Sequence, residues 1–286
     1  MGSEKRDIQA PHKDSVRLYV DGMKISILIP TWNNVEYMKI IIPAIRKHTI
    51  VPYEILVYAN EISSEMKEYA SKESFDVFEH SHKNEGIALA VNLLAKQATG
   101  DMIFYLNDDM YVAPGWDEAL VRKINDTIFY QYLTSVMFEP RWENPTVNTP
   151  FDFGRTPETW QEQKFLSEWW DLRQIKEDII SGNTPTFVKK ELWDSIGGYD
   201  KIYWPGFGTD PDFVAKIYYR AKREGKPYEF RGVADCGVYH FQCVSTERIQ
   251  NAKLYRQKSH KRFKAKWSME VLEFITLIDA GEGKRI

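Results

Sequence analysis

The first organised signal in the chain is KISILIP at 24–30, a short apolar run closed by proline that reads as a buried strand. The polar residues 1–22 before it read as a mobile N-terminal tail or an edge element. From 35 to 48 the spacing becomes helical, with Tyr37, Ile40, Ile41, Ala44 and Ile45 on one side and Pro43 as a candidate kink. A second strand is expected at 53–59, a polar helix at 62–72, a third strand at 76–80 and a helix at 86–98. The run MIFYLND at 102–108 reads as a fourth strand ending in acids. Beyond it the alternation weakens. The pattern predicts a strand at 132–138, an irregular Trp-rich stretch at 142–170 and a helix near 189–195 closed by Gly197 and Gly198. A loop at 203–212 then opens a helix at 211–223, with Pro211 in a tolerated first-turn position, and a strand at 233–241 precedes a basic C-terminal helix.

Strands alternating with helices predict an α/β fold with a mainly parallel sheet and helices on both faces. Such sheets bind ligands beyond the carboxyl ends of their strands. Polar clusters stand at three such ends: Thr31 to Asn34, Asn60 with Glu61, and Asn107 to Asp109. No internal repeat or low-complexity linker interrupts the chain, which reads as one compound domain.

Composition narrows the classes. The 286 residues are 43% hydrophobic, enough for a substantial core. The formal net charge of −3 argues against a chain built to coat nucleic acid. Two cysteines, Cys236 and Cys243, make no disulfide framework and favour a reduced, cytoplasmic compartment. The first residues lack a signal-peptide pattern, Arg6 stands where a myristoylation signal needs Ser or Thr, and no apolar run is long enough for a transmembrane helix.

Several residues carry candidate chemistry. Adjacent carboxylates such as Asp108 and Asp109 repel unless solvated or offset by a cation, and Mg²⁺ or Mn²⁺ favours such hard oxygen ligands. A solvated acidic turn is the plain alternative. His240, among aromatics at a strand end, is either a hydrogen-bonded core histidine or a ligand completing a mixed oxygen/nitrogen metal site. Of Asp210 and Asp212, one suits the helix N-terminus and the other a general base beside the aromatic loop; spacing alone does not assign them. Lys83 to Gly86 offers either a plain helix cap or amide contacts to a nucleotide. The GxGxxG, Walker, GxSxG and HExxH signatures are absent.

The ordered segments ISILIPTWNN (26–34), HKNEGIALAVNLL (82–94), MIFYLNDDM (102–110), FVKKELWDSIGGYD (187–200), GTDPDF (208–213) and VYHF (238–241) together resemble family 2 glycosyltransferases of the GT-A fold. The likeness spans about residues 24–243. It implies a Rossmann-like GT-A domain at 23–245, with a nucleotide-binding half at 23–112 and a donor-sugar/acceptor half at 113–245. A basic helical extension follows at 246–286.

By this resemblance Pro30, Thr31 and Asn33 form the first loop of the nucleotide pocket, and Asn60 and Glu61 read the base. Asn84, Gly86 and Asn92 line the nucleotide-sugar site. Asn107, Asp108 and Asp109 correspond to the DxD motif with Asn at its first position; Asp109 is the implied metal ligand and Asp108 lies near the ribose or sugar. His240 joins the Mn²⁺ or Mg²⁺ site. Gly198, in the GGYD segment, shapes the donor and acceptor side, which Trp204, Gly206 and Phe207 are expected to face. Asp210 is the implied catalytic base and Asp212 a helix cap on the sugar side, with Thr209 where the family usually carries Glu.

The implied activity is metal-assisted, inverting sugar transfer from a nucleotide diphosphate sugar, with a UDP-sugar as first guess. The acceptor is a carbohydrate or glycoconjugate, such as a surface polysaccharide. The alternatives are a sugar-phosphate nucleotidyltransferase, against which the PTWNN loop speaks, and a non-catalytic carbohydrate-binding protein on the same fold. Seven Lys/Arg without an acid at 253–266 form either a solvated face or a contact for an anionic membrane, a phosphorylated acceptor or a nucleic acid carrying the sugar. Aromatic residues make up 14% of the chain, and six of its nine Trp lie from Trp142 to Trp204, which reads as a sugar-facing wall or as core.

Overall fold

The computed structural model describes residues 22–141, 148–175, 177–182, 184–242, 245, 248–282 and 284–285. The expected tail, apart from Gly22, lies outside these residues, as do Trp142 and Cys243.

The first half follows the hydrophobic pattern closely. Strands β1 (Ile25–Thr31), β2 (Tyr53–Ala59), β3 (Val77–His80) and β4 (Met102–Tyr105) alternate with helices Val35–His48, Ser64–Lys72 and Ile87–Gln97. They pair in parallel in the order β3-β2-β1-β4. Strand β1 is buried along its whole length because helices cover both of its faces. Ile25, Ile27 and Ile29 point into one core with the 35–48 helix, while Leu28 points into the other with Leu56, Val91 and Leu94. The first helix continues through Pro43 to His48.

The second half adds β5 (Met110–Val112), β6 (Tyr130–Glu139), β7 (Asn148–Pro150), β8 (Ile179–Ile180), β9 (Thr186–Lys189), β10 (Tyr228–His240) and β11 (Lys284–Arg285). Strand β9 is antiparallel to both β4 and β6 and joins the parallel block to the β6/β10 pair. The stretch expected to be irregular instead contains the helix Glu162–Leu172, which buries Phe165 and Trp169. These two, one turn apart, close a third core with Phe138, Phe153 and Tyr239.

The C-terminal helices Ala252–Trp267 and Val271–Leu277 pack onto the helix Thr209–Glu224 through Phe263 and Phe274, both in the same core as Leu28. The basic stretch is thereby partly consumed in structure. Lys266 Nζ lies 2.8 Å from Asp200, Lys264 pairs with Glu270, and Arg262 donates to the Ile202 carbonyl.

At the amino-terminal edge of the sheet, buried Glu54 accepts bonds from Lys24 Nζ, Ser26 Oγ, and the Thr99 N–H and hydroxyl, at 2.5 to 2.8 Å. Burial alone raises a carboxyl pKa, but these four donors outweigh it and hold Glu54 down at about 2, against 4.5 unperturbed. The resulting stabilisation is fully present above pH 4.5 and is lost as pH falls toward 2. Glu54→Gln is expected to lose roughly 2 kcal/mol at pH 7, with the deficit shrinking at pH 3. Denaturant unfolding at both pH values checks this; an equal deficit at the two would refute the linkage.

Candidate active site

A cleft of about 310 Å³ opens at the carboxyl ends of the parallel strands. Pro30, Thr31 and Trp32 enter it from β1, Asn60 from β2, and Tyr105 with Asn107, Asp108 and Asp109 from β4. The opposite wall is the turn Pro205 to Gly208 with Asp210, and His240 arrives from the end of β10. The two walls are tied together: Ile87 N–H donates to the Pro205 carbonyl at 3.0 Å, and Trp204 Nε1 to the Asn84 carbonyl at 3.2 Å. Gly86 permits this contact. Its φ is +84°, and a Cβ there would lie 2.7 Å from the Trp204 ring. Asn60 Oδ1 accepts from Glu85 N–H and Asn84 Oδ1 from Gly86 N–H, both at 2.9 Å, which shapes the loop before the 87–97 helix.

The acids occupy different environments. Asp108 Oδ2 accepts from Asn34 Nδ2 at 2.8 Å and from Trp32 N–H at 3.3 Å. Burial, and then the neighbouring Asp109 charge, raise its pKa. Asp109 Oδ1 lies 3.5 Å from His240 Nε2, and His240 Nδ1 lies 2.6 Å from Glu139 Oε1. Antiparallel pairing of β5 with β10 sets this geometry, with His240 opposite Met110 and Phe241 N–H bonded to the Asp109 carbonyl. Burial disfavours the imidazolium, but the flanking carboxylates of Asp109 and Glu139 prevail and raise the His240 pKa to about 10.

This donor set fits a divalent cation. Glu139 holds the Nδ1 side of the ring, as outer-shell carboxylates do at metal sites, and leaves Nε2 facing the Asp109 oxygen. Among the described residues no group of three or more His, Cys, Asp or Glu is arranged to hold a metal ion by itself. A cation here would have two protein ligands and take its remaining oxygens from a bound ligand and water.

Asp210 sits in the first turn of the helix Thr209–Glu224, after Gly208. Its Oδ1 accepts a 2.9 Å bond from the Tyr199 hydroxyl, which also meets Thr186 Oγ1 at 3.2 Å; that oxygen in turn meets Tyr132 at 2.9 Å. Burial raises Asp210 to about 6, against the opposing bond from Tyr199. A carboxylate poised there is a competent general base near neutral pH.

Of the residues expected in the site, Pro30, Thr31, Asn60, Asn84, Asn107 and Asp108 line the cleft, as do Asp109, His240, Gly206, Phe207 and Asp210. Seven others are placed differently. Asn33 and Glu61 brace the rim, Asn33 through the Glu61 carbonyl and Ser63 N–H, and Glu61 through Trp32 Nε1. Gly86 lies behind the wall at the contact described above. Asn92 clamps both backbone groups of Tyr199 at 2.8 and 2.9 Å, and Gly198 packs where a Cβ would fall 2.3 Å from Asn92 Oδ1.

Trp204 lies outside the lining and is 40% exposed, edge-on to Tyr255. Asp212 neither caps the helix nor faces the cleft. It is fully buried, accepting from Tyr203 OH, Lys266 Nζ and Trp267 Nε1, and so anchors the C-terminal helix. The sugar-facing wall of Trp also resolves otherwise: Trp169 and Trp193 are core, Trp160 packs against the third core, and among the described residues the Trp that lines the cleft is Trp32.

The lining also includes Ile87, Tyr105, Ser245 and Ile249, which the sequence did not single out, and its supports include Glu139 and Tyr199. Tyr199 lies within the GGYD segment and Glu139 at a strand end, signals in the sequence that could have found them.

Residues 26–178, more than half of the chain, match the family described as Glycosyl transferase family 2. The chain belongs to that family. An uncharacterized glycosyltransferase, YwdF of Bacillus subtilis (strain 168), is 29% identical to it over 209 residues, covering 70% of this chain and 71% of that protein. The mannosyltransferase PcManGT from Pyrobaculum calidifontis, solved in complex with GDP-Man and Mn2+, shares the fold with a TM-score of 0.56 at 12% identity, over 94% of this chain and 74% of that one. S. aureus TarS 1-349 matches with a TM-score of 0.50 at 12% identity, over 85% and 72%. This family 2 glycosyltransferase therefore carries the GT-A fold, with helices completing its C-terminus. Among its described residues no helix is long and apolar enough to cross a membrane.

Proposed function

We propose that this glycosyltransferase moves a sugar from a nucleoside diphosphate donor to an acceptor hydroxyl with inversion at the anomeric carbon. The observation that carries this reading is the shared cleft: Asp108, Asp109 and His240 stand at its strand-end wall and Asp210 on the wall opposite. The nucleotide lies along Pro30, Thr31, Asn60 and Asn84, and Asp108 is placed to accept from the ribose or sugar hydroxyls. Asp109 and His240 would hold Mn²⁺ or Mg²⁺, which when bound neutralises charge developing on the diphosphate. Asp210 takes the proton from the acceptor hydroxyl. As the new C–O bond forms, the bond from the anomeric carbon to the phosphate oxygen breaks, and its electron pair leaves with the nucleoside diphosphate. The solved neighbour that holds GDP-Man with Mn2+ supports both a nucleotide sugar and a divalent ion as ligands of this fold. A carbohydrate or glycoconjugate, such as a surface polysaccharide, is the proposed acceptor.

The test is a thermal-shift screen of UDP- and GDP-sugars with and without Mn²⁺, followed by product analysis. One donor should raise the melting temperature only with the metal, by the equivalent of about 2.7 kcal/mol at a hundredfold excess over Kd. Turnover should release nucleoside diphosphate. Release of pyrophosphate would instead identify a nucleotidyltransferase.

A further inference from the structure

Asp210 also forms part of the wall of a second cavity, of about 150 Å³, built by this chain's C-terminal segment. Val214, Phe274, Ile275 and Ile278 make its apolar surface, and Asp279 is its second carboxylate. Asp279 is half-buried and has no hydrogen-bond or ion-pair partner among the described residues; burial alone raises its pKa, to about 6. Among the described residues that line this cavity there is no Lys, Arg or His.

An inverting displacement needs donor and acceptor on opposite sides of the anomeric carbon, with the base beside the acceptor hydroxyl. Asp210 lines both cavities and so stands between a donor in the first and an acceptor in the second. The chemistry of the second cavity defines what it takes. Apolar side chains pack against the C–H face of a sugar ring, and an unpartnered carboxylate accepts from its hydroxyls. Two acidic residues with no cation among the described lining disfavour phosphate.

We propose that this cavity is the acceptor subsite and that it receives the terminal ring of an uncharged saccharide, not a phosphate-bearing group. The proposal rests on the reading of Asp210 as the base.

Methyl glycosides of common hexoses and the matching hexose 6-phosphates serve as acceptor probes, with the donor found by the thermal-shift screen. The neutral glycosides should be used with a kcat/KM at least tenfold higher. Asp279→Asn should raise the acceptor KM about tenfold, the loss of one charge-assisted hydrogen bond. Ile275→Trp, which fills the cavity from its apolar side, should raise it at least as much. Donor Kd, measured by calorimetry without acceptor, should stay within about twofold in both variants. Better use of the phosphates overturns the proposal, as does a donor-binding enzyme that transfers to none of the neutral glycosides. Retained transfer in Asp210→Asn overturns the base reading and the proposal with it. Loss of transfer there, with a wild-type acceptor KM in both cavity variants, overturns the cavity proposal alone.

Discussion

Asp210→Asn should lower sugar transfer about 10³-fold, a barrier increase of roughly 4 kcal/mol, while donor affinity is retained. The amide keeps the shape of the carboxylate but cannot take the acceptor proton. The wild-type enzyme should show the titration of this group. Since the base acts when ionised, kcat should fall below an apparent pKa of about 6 and level off above it. Tyr199→Phe should move this limb upward, because the Tyr199 hydroxyl donates to the ionised carboxylate and favours it. A limb that stays in place in Tyr199→Phe, or survives in Asp210→Asn, would assign it to another group.

Stability provides an independent check with the opposite sign. Burial raises Asp210 from 3.8 to about 6, so the folded state binds this proton more tightly than the unfolded chain. The associated stability is fully present below pH 3.8 and lost as pH rises through 6. At pH 7 the ionised group therefore costs about 1–3 kcal/mol, and Asp210→Asn should melt at or above the wild-type temperature. Inactivity with undiminished stability separates a lost base from a lost fold.

The parallel block was legible because β1 and β2 are mainly apolar, broken near their starts by Ser26 and Glu54, and their covering helices carry a clear helical period. Polar residues at the ends of such strands then had one place to go, which is why Thr31, Asn60 and Asp108 line one cleft. Strand β9 was hidden because its four residues owe their conformation to β4 and β6, distant in sequence. The helix Glu162–Leu172 was hidden differently. Phe165 and Trp169 carry its one-turn spacing, but the surrounding density of aromatics masked that period.

Asp210 and Asp212 show what helix geometry adds to a motif. Two residues apart on a helix means about 200° of rotation, so the two carboxylates face opposite ways. Asp210 faces the cleft and Asp212 the C-terminal helix. The Trp clustering misled for a related reason: position along the chain does not reveal which face of a strand or helix an indole occupies. Trp169 and Trp193 occupy inward faces.

Asp109→Asn should abolish the metal dependence of donor binding and reduce transfer by at least about 10²-fold. With two protein ligands proposed for the cation, exchange of a charged oxygen ligand for a neutral amide removes half of the protein's coordination and the anionic ligand. Donor affinity in the variant should fall to the wild-type value in EDTA and be unchanged by added Mn²⁺. Glu139→Gln tests the support behind it. Glu139 contacts His240 Nδ1 at 2.6 Å and has no place in the cleft lining, so its loss should misorient the ring without removing a ligand. The expected effect is about 10- to 100-fold on metal affinity, recovered at higher Mn²⁺ concentration. Asp109→Asn should show no such recovery, because an amide oxygen remains a poor ligand at any accessible metal concentration. Wild-type transfer that is indifferent to EDTA, together with an Asp109→Asn variant of near-normal rate, would show that Asp109 and His240 act as an ion pair and that the diphosphate departs without a cation.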